Sequence, residues 1–248
     1  MSQVASLTHC LFSPTKGCQI ALGALLMTVV GGGSPGVGAA NPGLGKWLNG
    51  AIGLPVGLSM VILTGGELFT GNVFFMLAAL LSNKVSPRAL AINWFVSFWG
   101  NFLGSLFVAA MAYSAGTTAV QPWLGTTLNV AVYKASLPLS VAFTRGILCN
   151  WLVCTAVWIA TAAQSPAGKF LGIWLLVSSF VAMGFEHSIA NMFLIPLGML
   201  NGASVSIAQF LTQNLMPVTL GNIVGGGLII AAGYFYAYGE RSEGTPAN

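Results

Sequence analysis

A short polar segment interrupts a long apolar run in each half of the chain, and the two segments match. Residues 65–72 read Gly-Gly-Glu-Leu-Phe-Thr-Gly-Asn and residues 184–191 read Gly-Phe-Glu-His-Ser-Ile-Ala-Asn, so both follow the pattern G-x-E-x-x-x-x-N. A second pair, Gly-Asn-Phe-Leu-Gly at 100–104 and Gly-Asn-Ile-Val-Gly at 221–225, repeats further along each half. Interruptions at corresponding places in two apolar halves are typical of transporters built from internal repeats, whose substrate path runs between the interrupted helices.

The scarcity of charge identifies the bilayer as the solvent of this chain. Only 5% of the 248 residues are charged and 56% are apolar, whereas about a quarter of the residues in a soluble domain are charged. The formal charge of +4 is spread along the chain without a basic cluster, which gives no basis for nucleic-acid binding. The composition therefore predicts an integral membrane protein surrounded by lipid.

Six apolar stretches are long enough to cross a bilayer, which takes about 20 helical residues. They extend over about 18–37, 47–81, 87–115, 137–163, 169–200 and 217–238. The second and fifth contain the polar interruptions, at 65–70 and 184–188. We expect one all-α transmembrane domain over 1–248, with two three-helix halves at 18–115 and 137–238 and a C-terminal tail at 239–248. Because each half crosses the membrane three times, the halves are expected to form an inverted repeat.

Positive residues outside the spans predict the orientation of the chain. One side of the membrane would receive Lys16, Lys84, Arg88, Lys169 and Arg241, and the other side Lys46 and Lys134. Positive charge accumulates on the cytoplasmic side of membrane proteins. Both termini are therefore expected on the cytosolic or stromal side.

Two carboxylates occupy equivalent places in the two interruptions. Glu67 and Glu186 each lie at the third position of the shared pattern. A carboxylate at the start of a half-helix can accept hydrogen bonds from free backbone N–H groups and complement the positive end of the helix dipole. We expect both residues to anchor the breaks, and we assign the same structural role to Asn72 and Asn191, which close the two patterns.

His187 breaks the symmetry, because Leu68 stands at the corresponding place in the first interruption. An imidazole has an ordinary pKa near 6.5 and can lend a proton or a positive charge near neutral pH. The alternative is a core histidine whose nitrogens are satisfied by its neighbours. Thr70 supplies a hydroxyl in the other interruption, which can donate to an anion, cap the following half-helix, or do both.

Two cations and two cysteines lie in or beside the fourth span. Lys134 precedes that span, where it either concentrates anions at the outer mouth or extends to the membrane interface as a packing residue. Arg145 lies within the span and is expected to pair with Glu186 or with helix-end carbonyls, because an unpaired charge there is costly. Cys149 and Cys154 lack the spacing of paired metal ligands, and no metal or bound cofactor is expected.

Four segments resemble the signature sequences of the formate/nitrite transporter family. They are Leu-Thr-Gly-Gly-Glu-Leu-Phe-Thr-Gly-Asn at 63–72, Arg-Gly-Ile-Leu-Cys-Asn-Trp-Leu-Val-Cys at 145–154, Gly-Phe-Glu-His-Ser-Ile-Ala-Asn-Met-Phe at 184–193 and Pro-Val-Thr-Leu-Gly-Asn at 217–222. The resemblance covers about 18–238. Segments 41–46 and 54–59 look similar to those of algal and plastid members, some of which move nitrite and others bicarbonate. This similarity implies a location in the plastid envelope.

The resemblance implies an aquaporin-like protomer that assembles as a homopentamer with one pore in each subunit. On this likeness the substrate path follows the central histidine, the loop threonine, the vestibule lysine, an asparagine of the fourth helix and three apolar constriction residues. The histidine corresponds to His187, the threonine to Thr70, the lysine to Lys134 and the asparagine to Asn150. The three constriction residues correspond to Leu54, Leu58 and Phe180.

Residues and resemblance together predict a channel or transporter for small monovalent weak-acid anions: nitrite, formate or bicarbonate. Such an anion must pass apolar constrictions, where a bare charge is costly, and protonation by His187 or hydrogen bonding to it would lower that cost. The alternative is an aquaporin-like channel for water or small neutral solutes, although the paired Asn-Pro-Ala motifs are absent from the sequence. An enzyme is disfavoured, because the sequence offers neither a nucleophile–base pair nor a metal cluster.

Overall fold

The computed structural model describes residues 13–239, and within that range every regular element is a helix. The helices are α1 (Ser13–Gly33), α2 (Pro35–Ala40), α3 (Pro42–Ile52), α4 (Leu54–Leu63), α5 (Phe69–Leu81), α6 (Pro87–Ser114), α7 (Trp123–Ala135), α8 (Leu139–Ala162), α9 (Pro166–Ala182), α10 (Ser188–Leu200) and α11 (Ile207–Tyr238). Arg241, which entered the prediction of orientation, and nearly all of the predicted C-terminal tail lie outside the described residues.

Five helices are long and apolar enough to cross a membrane, as judged by their length and composition. They are Thr15–Gly33, Pro42–Leu63, Pro87–Ser114, Leu139–Ala162 and Ile207–Tyr238, of which Pro42–Leu63 joins α3 and α4. Three further apolar helices, α5, α9 and α10, have 13 to 17 residues each. The prediction of an all-helical, multi-pass membrane protein is confirmed.

The polar interruptions lie between helices, as the sequence indicates. Helix α4 ends at Leu63 and α5 begins at Phe69, while α9 ends at Ala182 and α10 begins at Ser188. Each preceding helix is closed by a glycine with positive φ, 66° at Gly65 and 73° at Gly184. This left-handed conformation is unfavourable for residues with a Cβ. The first letter of the shared pattern therefore ends a helix.

The backbone hydrogen bonds after these glycines are the same in both places. Gly66 N–H donates to Val61 O at 2.8 Å, and Phe185 N–H donates to Phe180 O at 3.0 Å. A bond of this span, together with the shorter one made by the preceding glycine, is the Schellman closure of a helix. The backbone therefore leaves the helix in the same direction at both interruptions. This places Glu67 and Glu186 at equivalent positions.

Two helices differ from the sequence prediction. Residues 123–135 were expected in a connector, but they form α7, whose buried residues Thr127, Ala131 and Ala135 recur every four positions. Such a narrow buried stripe can pack a short helix against its neighbours. It does not form a long apolar run, so hydropathy alone does not indicate this helix. Helix α11 begins at Ile207, ten residues before the predicted start, because Ser206 and Gln209 form a capping box there.

Burial separates an apolar outer surface from a packed centre. Helix α10 is buried without interruption from Ser188 to Gly198, whereas α6 exposes a row of large apolar side chains: Phe95, Trp99, Leu103, Phe107 and Met111. Helix α11 packs closely on α8, since a Cβ at Gly221 would lie 2.2 Å from Phe143 O. The second interruption and its half-helix therefore lie in the interior of the protomer.

Candidate functional site

The second interruption is organised around the carboxylate of Glu186. Its Oε2 accepts hydrogen bonds from the side-chain amides of Asn191 at 2.7 Å and Asn214 at 3.3 Å. Its Oε1 lies 2.9 Å from the ammonium group of Lys134. The glutamate and the asparagine of the shared pattern are therefore hydrogen-bonded to each other.

The first interruption repeats this arrangement without the cation. Oε2 of Glu67 accepts hydrogen bonds from Asn72 at 2.8 Å and from Asn93 at 2.9 Å. Asn72 also donates to Asn93 Oδ1 at 2.9 Å, as Asn191 does to Asn214 Oδ1 at 2.8 Å. Each interruption therefore holds a carboxylate and two amides in one network.

The sequence prediction was wrong about which groups satisfy the backbone at the start of each half-helix. The first N–H of α5, that of Phe69, donates to Asn101 Oδ1 at 2.8 Å. The first N–H of α10, that of Ser188, donates to Asn222 Oδ1 at 2.9 Å. The Glu67 and Glu186 carboxylates accept hydrogen bonds from side chains instead.

A side-chain amide suits this position because it carries both an acceptor and donors. Asn222 accepts from α10 through Oδ1 and donates through Nδ2 to Glu186 O at 3.0 Å and Gly146 O at 2.8 Å. A carboxylate can only accept and would leave those carbonyls unpaired. Asn101 and Asn222 are the asparagines of the second repeated pair, so this network accounts for that pair as well.

His187 and Thr70 bring the two interruptions together. Thr70 Oγ1 lies 3.0 Å from His187 Nε2, and both residues are buried. The backbone N–H of Ala190 donates to His187 Nδ1 at 3.1 Å, which makes His187 the N-cap of α10. Because a backbone N–H can only donate, Nδ1 must accept, and the neutral ring therefore carries its proton on Nε2. The Nε2–H then donates to the Thr70 hydroxyl.

A cavity of about 200 Å³ opens on one side of His187. We call this cavity the vestibule; its lining includes Lys46, Asn49, Leu54, Tyr133, Lys134, Phe180, Glu186 and His187. The predicted mouth residue Lys134 does line it, but its charge is paired with Glu186. The Lys134 side chain is 14% exposed and that of Glu186 is 2% exposed. The pair is therefore part of the buried wall.

A second, much smaller space adjoins His187 and is bounded by apolar side chains. This apolar chamber measures about 10 Å³, about the least that holds one water molecule. It is lined by Ile20, Leu54, Leu58, Leu68, Val153, Val177, Phe180 and His187. Leu54, Phe180 and His187 line both spaces, so these three side chains form the partition between them. The Phe180 ring stacks on the imidazole with centroids 6.1 Å apart.

The structure brings together most of the predicted pathway residues. The three apolar residues Leu54, Leu58 and Phe180 surround the same small chamber. Asn150 is fully buried and lines neither space; its Nδ2 donates to Thr70 O at 3.2 Å and to Asn222 O at 2.7 Å. Asn150 thus holds the backbone that carries the Thr70 hydroxyl.

Arg145 does not pair with Glu186, contrary to the sequence prediction. Its Nη1 donates to the Tyr133 hydroxyl at 2.7 Å, and its guanidinium carbon lies 5.9 Å from the centre of the Tyr133 ring. The cation that reaches Glu186 is Lys134, which lies in the last turn of α7. Since α7 was not predicted, this placement of Lys134 was not foreseen.

Several site residues escaped the sequence analysis, among them two of the chamber residues and two amides. Leu68 and Val153 line the apolar chamber, and an aliphatic residue in an apolar run carries no signal of its own. Asn93 and Asn214 complete the carboxylate networks. Their spacing equals that of Asn101 and Asn222 in the second repeated pair, so extending that repeat by eight residues toward the N-terminus would have revealed them.

The arrangement is suited to passing a small polar solute. A charged or hydrogen-bonding solute in the vestibule has the polar side chains of Lys46, Asn49 and Tyr133 in the same lining as the apolar partition. At the partition, the Nε2–H of His187 is the polar group that could receive it, and the Thr70 hydroxyl, which lines neither space, lies 3.0 Å behind it. Among residues 13–239, no group of three His, Cys, Asp or Glu side chains could hold a metal ion.

Comparison with known proteins agrees with this geometry. Residues 5–236 match the family model for formate/nitrite transporters. A probable formate transporter from Methanothermobacter thermautotrophicus is 44% identical over 237 residues, which cover 90% of this chain and 85% of the relative.

Two solved structures share the fold. An FNT family ion channel is similar with a TM-score of 0.84 and 33% identity, covering 94% of this chain and 90% of the other. A pentameric formate channel with formate bound gives a TM-score of 0.82 and 31% identity, covering 97% and 100%. These relatives are transport proteins, which agrees with the prediction that the chain is not an enzyme. The chain belongs to the formate/nitrite transporter family.

Proposed function

We propose that this protein is a channel or transporter for small monovalent weak-acid anions, with formate as the first candidate and nitrite and bicarbonate as the others. The observation that carries the proposal is the position of His187, which is hydrogen-bonded to Thr70 and shares the partition with the apolar residues Leu54 and Phe180. An anion crossing that partition loses water, which is costly unless hydrogen-bond donors replace it. The names of the relatives, a probable formate transporter and a channel with formate bound, favour formate.

His187 acts in this proposal by hydrogen bonding. As the N-cap of α10 it must keep Nδ1 unprotonated to accept from Ala190. A second proton on the ring would sit on Nδ1 and point an N–H group at the N–H of Ala190. Loss of the Nε2 proton would leave an imidazolate. The geometry therefore favours a neutral ring that offers its Nε2–H to the solute in place of Thr70. A proton that crosses with the anion would then come from water.

The path runs from the vestibule through the partition into the apolar chamber. Leu54 and Phe180 select solutes by size at the partition, and Leu58 continues the apolar wall. Asn150 supports the path indirectly by holding the Thr70 carbonyl. Glu67, Asn72, Glu186 and Asn191 hold the two interruptions in shape.

The architecture that accompanies this function is a single domain with six crossings. In this proposal α3 to α5 make the second crossing and α9 with α10 make the fifth, each interrupted once. The matching networks at Glu67 and Glu186 support an inverted repeat, because equivalent contacts recur in both halves. Assembly as a homopentamer is supported by the pentameric formate channel of similar fold.

The proposed membrane and the orientation of the termini are inferred from the sequence alone. Inward-facing termini and the plastid envelope stay predictions from the positive residues and from the resemblance to algal and plastid members. The probable formate transporter that shares 44% identity with this chain comes from Methanothermobacter thermautotrophicus.

Flux into proteoliposomes tests the proposed function. Purified protein is reconstituted, and uptake of formate, nitrite, bicarbonate and water is measured against protein-free vesicles. Formate uptake well above background supports the proposal. Rapid water flow without uptake of any of the three anions would refute it and favour the aquaporin-like alternative.

A further inference from the structure

We propose that Lys46, rather than Lys134, supplies the positive charge that draws anions into the vestibule, and that Lys46, Asn49 and Tyr133 form an anion-loading site on its wall. The inference rests on the proposed function, because it assigns the entry step of the same path. It starts from the partners of the charged and polar side chains that line the vestibule.

The charges of the vestibule divide into a neutralised pair and one uncompensated cation. Lys134 and Glu186 lie 2.9 Å apart, so at the distance of an approaching ion their fields largely cancel. Lys46 also lines the vestibule and is exposed. Among residues 13–239 no hydrogen bond or ion pair engages its ammonium group. The net positive charge of the vestibule lining is therefore that of Lys46.

Asn49 presents an amide next to this cation. It follows Lys46 by three residues on α3, which puts both side chains on one helix face. Its side-chain amide makes no hydrogen bond with the described part of the chain, although the residue is half-buried. A Cβ at Gly31 would lie 2.8 Å from Asn49 Nδ2. The glycine thus leaves the space that the amide fills at the vestibule wall.

Tyr133 supplies a third donor. Its hydroxyl oxygen accepts a hydrogen bond from Arg145 at 2.7 Å, so the hydroxyl hydrogen remains available. A cation donating to a hydroxyl polarises it and strengthens the hydrogen bond that it donates in turn. Tyr133 is 53% exposed and lines the vestibule. Arg145 therefore strengthens the hydrogen bond that Tyr133 can donate into the vestibule.

One cation and two neutral donors, without an uncompensated acid, suit a monovalent oxyanion. A carboxylate or nitrite ion has two oxygens that accept hydrogen bonds, and it can keep part of its water at an exposed site. Conduction requires binding strong enough to favour entry and weak enough to permit departure. An exposed lysine meets that condition better than a buried pair, because its charge is accessible and is screened by solvent.

Charge restoration at a single cysteine tests the assignment. Lys46→Cys protein in proteoliposomes is treated with a membrane-impermeant methanethiosulfonate that adds either a positive or a negative group, and formate uptake is measured at several concentrations. At an ionic strength of about 0.01 M, Lys46→Cys should raise the half-saturating formate concentration about threefold to tenfold. The positive reagent should restore it and the negative reagent should raise it further. All differences should shrink near 1 M salt, where the Debye length is about 3 Å.

Two controls isolate the position and the reagent. Thr117 is an exposed residue in the connector on the same predicted side as Lys46 and does not line the vestibule, so Thr117→Cys should respond to neither reagent. Cys10 and Cys18 are replaced by serine in every protein of the test, and the reference protein that keeps Lys46 should not respond, because Cys149 and Cys154 are buried. An unchanged half-saturating concentration in Lys46→Cys, or equal inhibition by both reagents, would overturn the role of the Lys46 charge.

The neutral donors are tested separately. Asn49→Ala and Tyr133→Phe should each raise the half-saturating formate concentration by a factor that is similar at low and high salt, because neutral hydrogen bonds are little screened. Wild-type values in both variants would overturn the loading site as described. Absence of formate uptake by the wild-type protein would instead refute the proposed function, so the two failures are distinguishable.

Discussion

Lys134 Nζ lies 2.9 Å from Glu186 Oε1, and this is the one ion pair among residues 13–239. Glu67 occupies the equivalent place in the first interruption and has the amides of Asn72 and Asn93 as its partners. The two interruptions thus share one architecture and differ in charge. This difference in charge arises because the last turn of α7 places Lys134 beside the second interruption.

Removal of the Lys134 charge is expected to damage stability more than substrate affinity. Lys134→Gln leaves Glu186 buried without its cation, and breaking a buried pair costs about 3–5 kcal/mol. The midpoint of thermal unfolding in detergent and the yield of assembled oligomer should both fall. A variant that keeps wild-type stability and shows only a salt-dependent loss of affinity would contradict the structural role.

The same pair offers a rescue experiment. Glu186→Gln combined with Lys134→Gln removes both charges and keeps the amide hydrogen bonds available to Asn191. The double variant should be more stable than either single variant, since it leaves no isolated buried charge whereas each single variant leaves one. If the double variant loses as much stability as the two single variants together, the two side chains contribute independently.

Substitutions of His187 should separate capping from hydrogen bonding to the solute. His187→Asn places an acceptor near the position of Nδ1 and should preserve the cap of α10, while its amide is too short to replace Nε2. We expect an assembled protein with formate flux lowered about tenfold or more, the cost of one hydrogen bond to a charged group. His187→Phe removes the cap as well and should lose about 1 kcal/mol of stability in addition.

The pH dependence of the His187→Asn variant discriminates between the two roles of the ring. If the ring only donates a hydrogen bond, flux measured between pH 5 and pH 8 should follow the wild-type profile at a lower level. A profile that becomes flat in the variant would indicate that His187 itself exchanges the proton.

The partition should control solute size. Phe180→Ala removes the ring that stacks on His187 and lines both spaces, so acetate uptake should rise relative to formate uptake. Leu54→Phe should narrow the partition and slow bicarbonate more than nitrite. Leu63→Phe, which alters an exposed residue of the same α4 helix, serves as the matched control. Equal acetate-to-formate ratios in Phe180→Ala and wild type would place the size filter elsewhere.

Asn222 should be a principal stabilising residue of the second interruption. Asn222→Leu removes the acceptor of the Ser188 N–H and the donor to two carbonyls, and each buried unpaired group costs about 1–3 kcal/mol. Thermal unfolding should show a large loss. Asn201→Leu, which removes one hydrogen bond to Leu197 O at the half-exposed end of α10, should cost much less.

Several assignments were accessible from the sequence because they depend on local chemistry. A glycine that ends a helix, as at Gly65 and Gly184, is dictated by backbone sterics that do not involve distant residues. The start of α6 at Pro87 was predicted from the apolar run, and local chemistry explains it, since Ser86 caps the helix and a proline favours the first turn. The pathway residues Leu54, Leu58 and Phe180 came from the family resemblance, and their joint place around one chamber is a tertiary fact.

By itself, the sequence determined that this chain is an all-helical membrane protein with two matching interruptions, because hydropathy and local backbone preferences act over a few residues. Which group pairs with which was decided by the tertiary structure. Lys134, rather than Arg145, neutralises Glu186, and Asn101 and Asn222, rather than the glutamates, satisfy the half-helix N–H groups. Hydrogen bonds and ion pairs act over about 3 Å, and only the packing of α6, α7, α8 and α11 around the interruptions brings these distant residues within that distance.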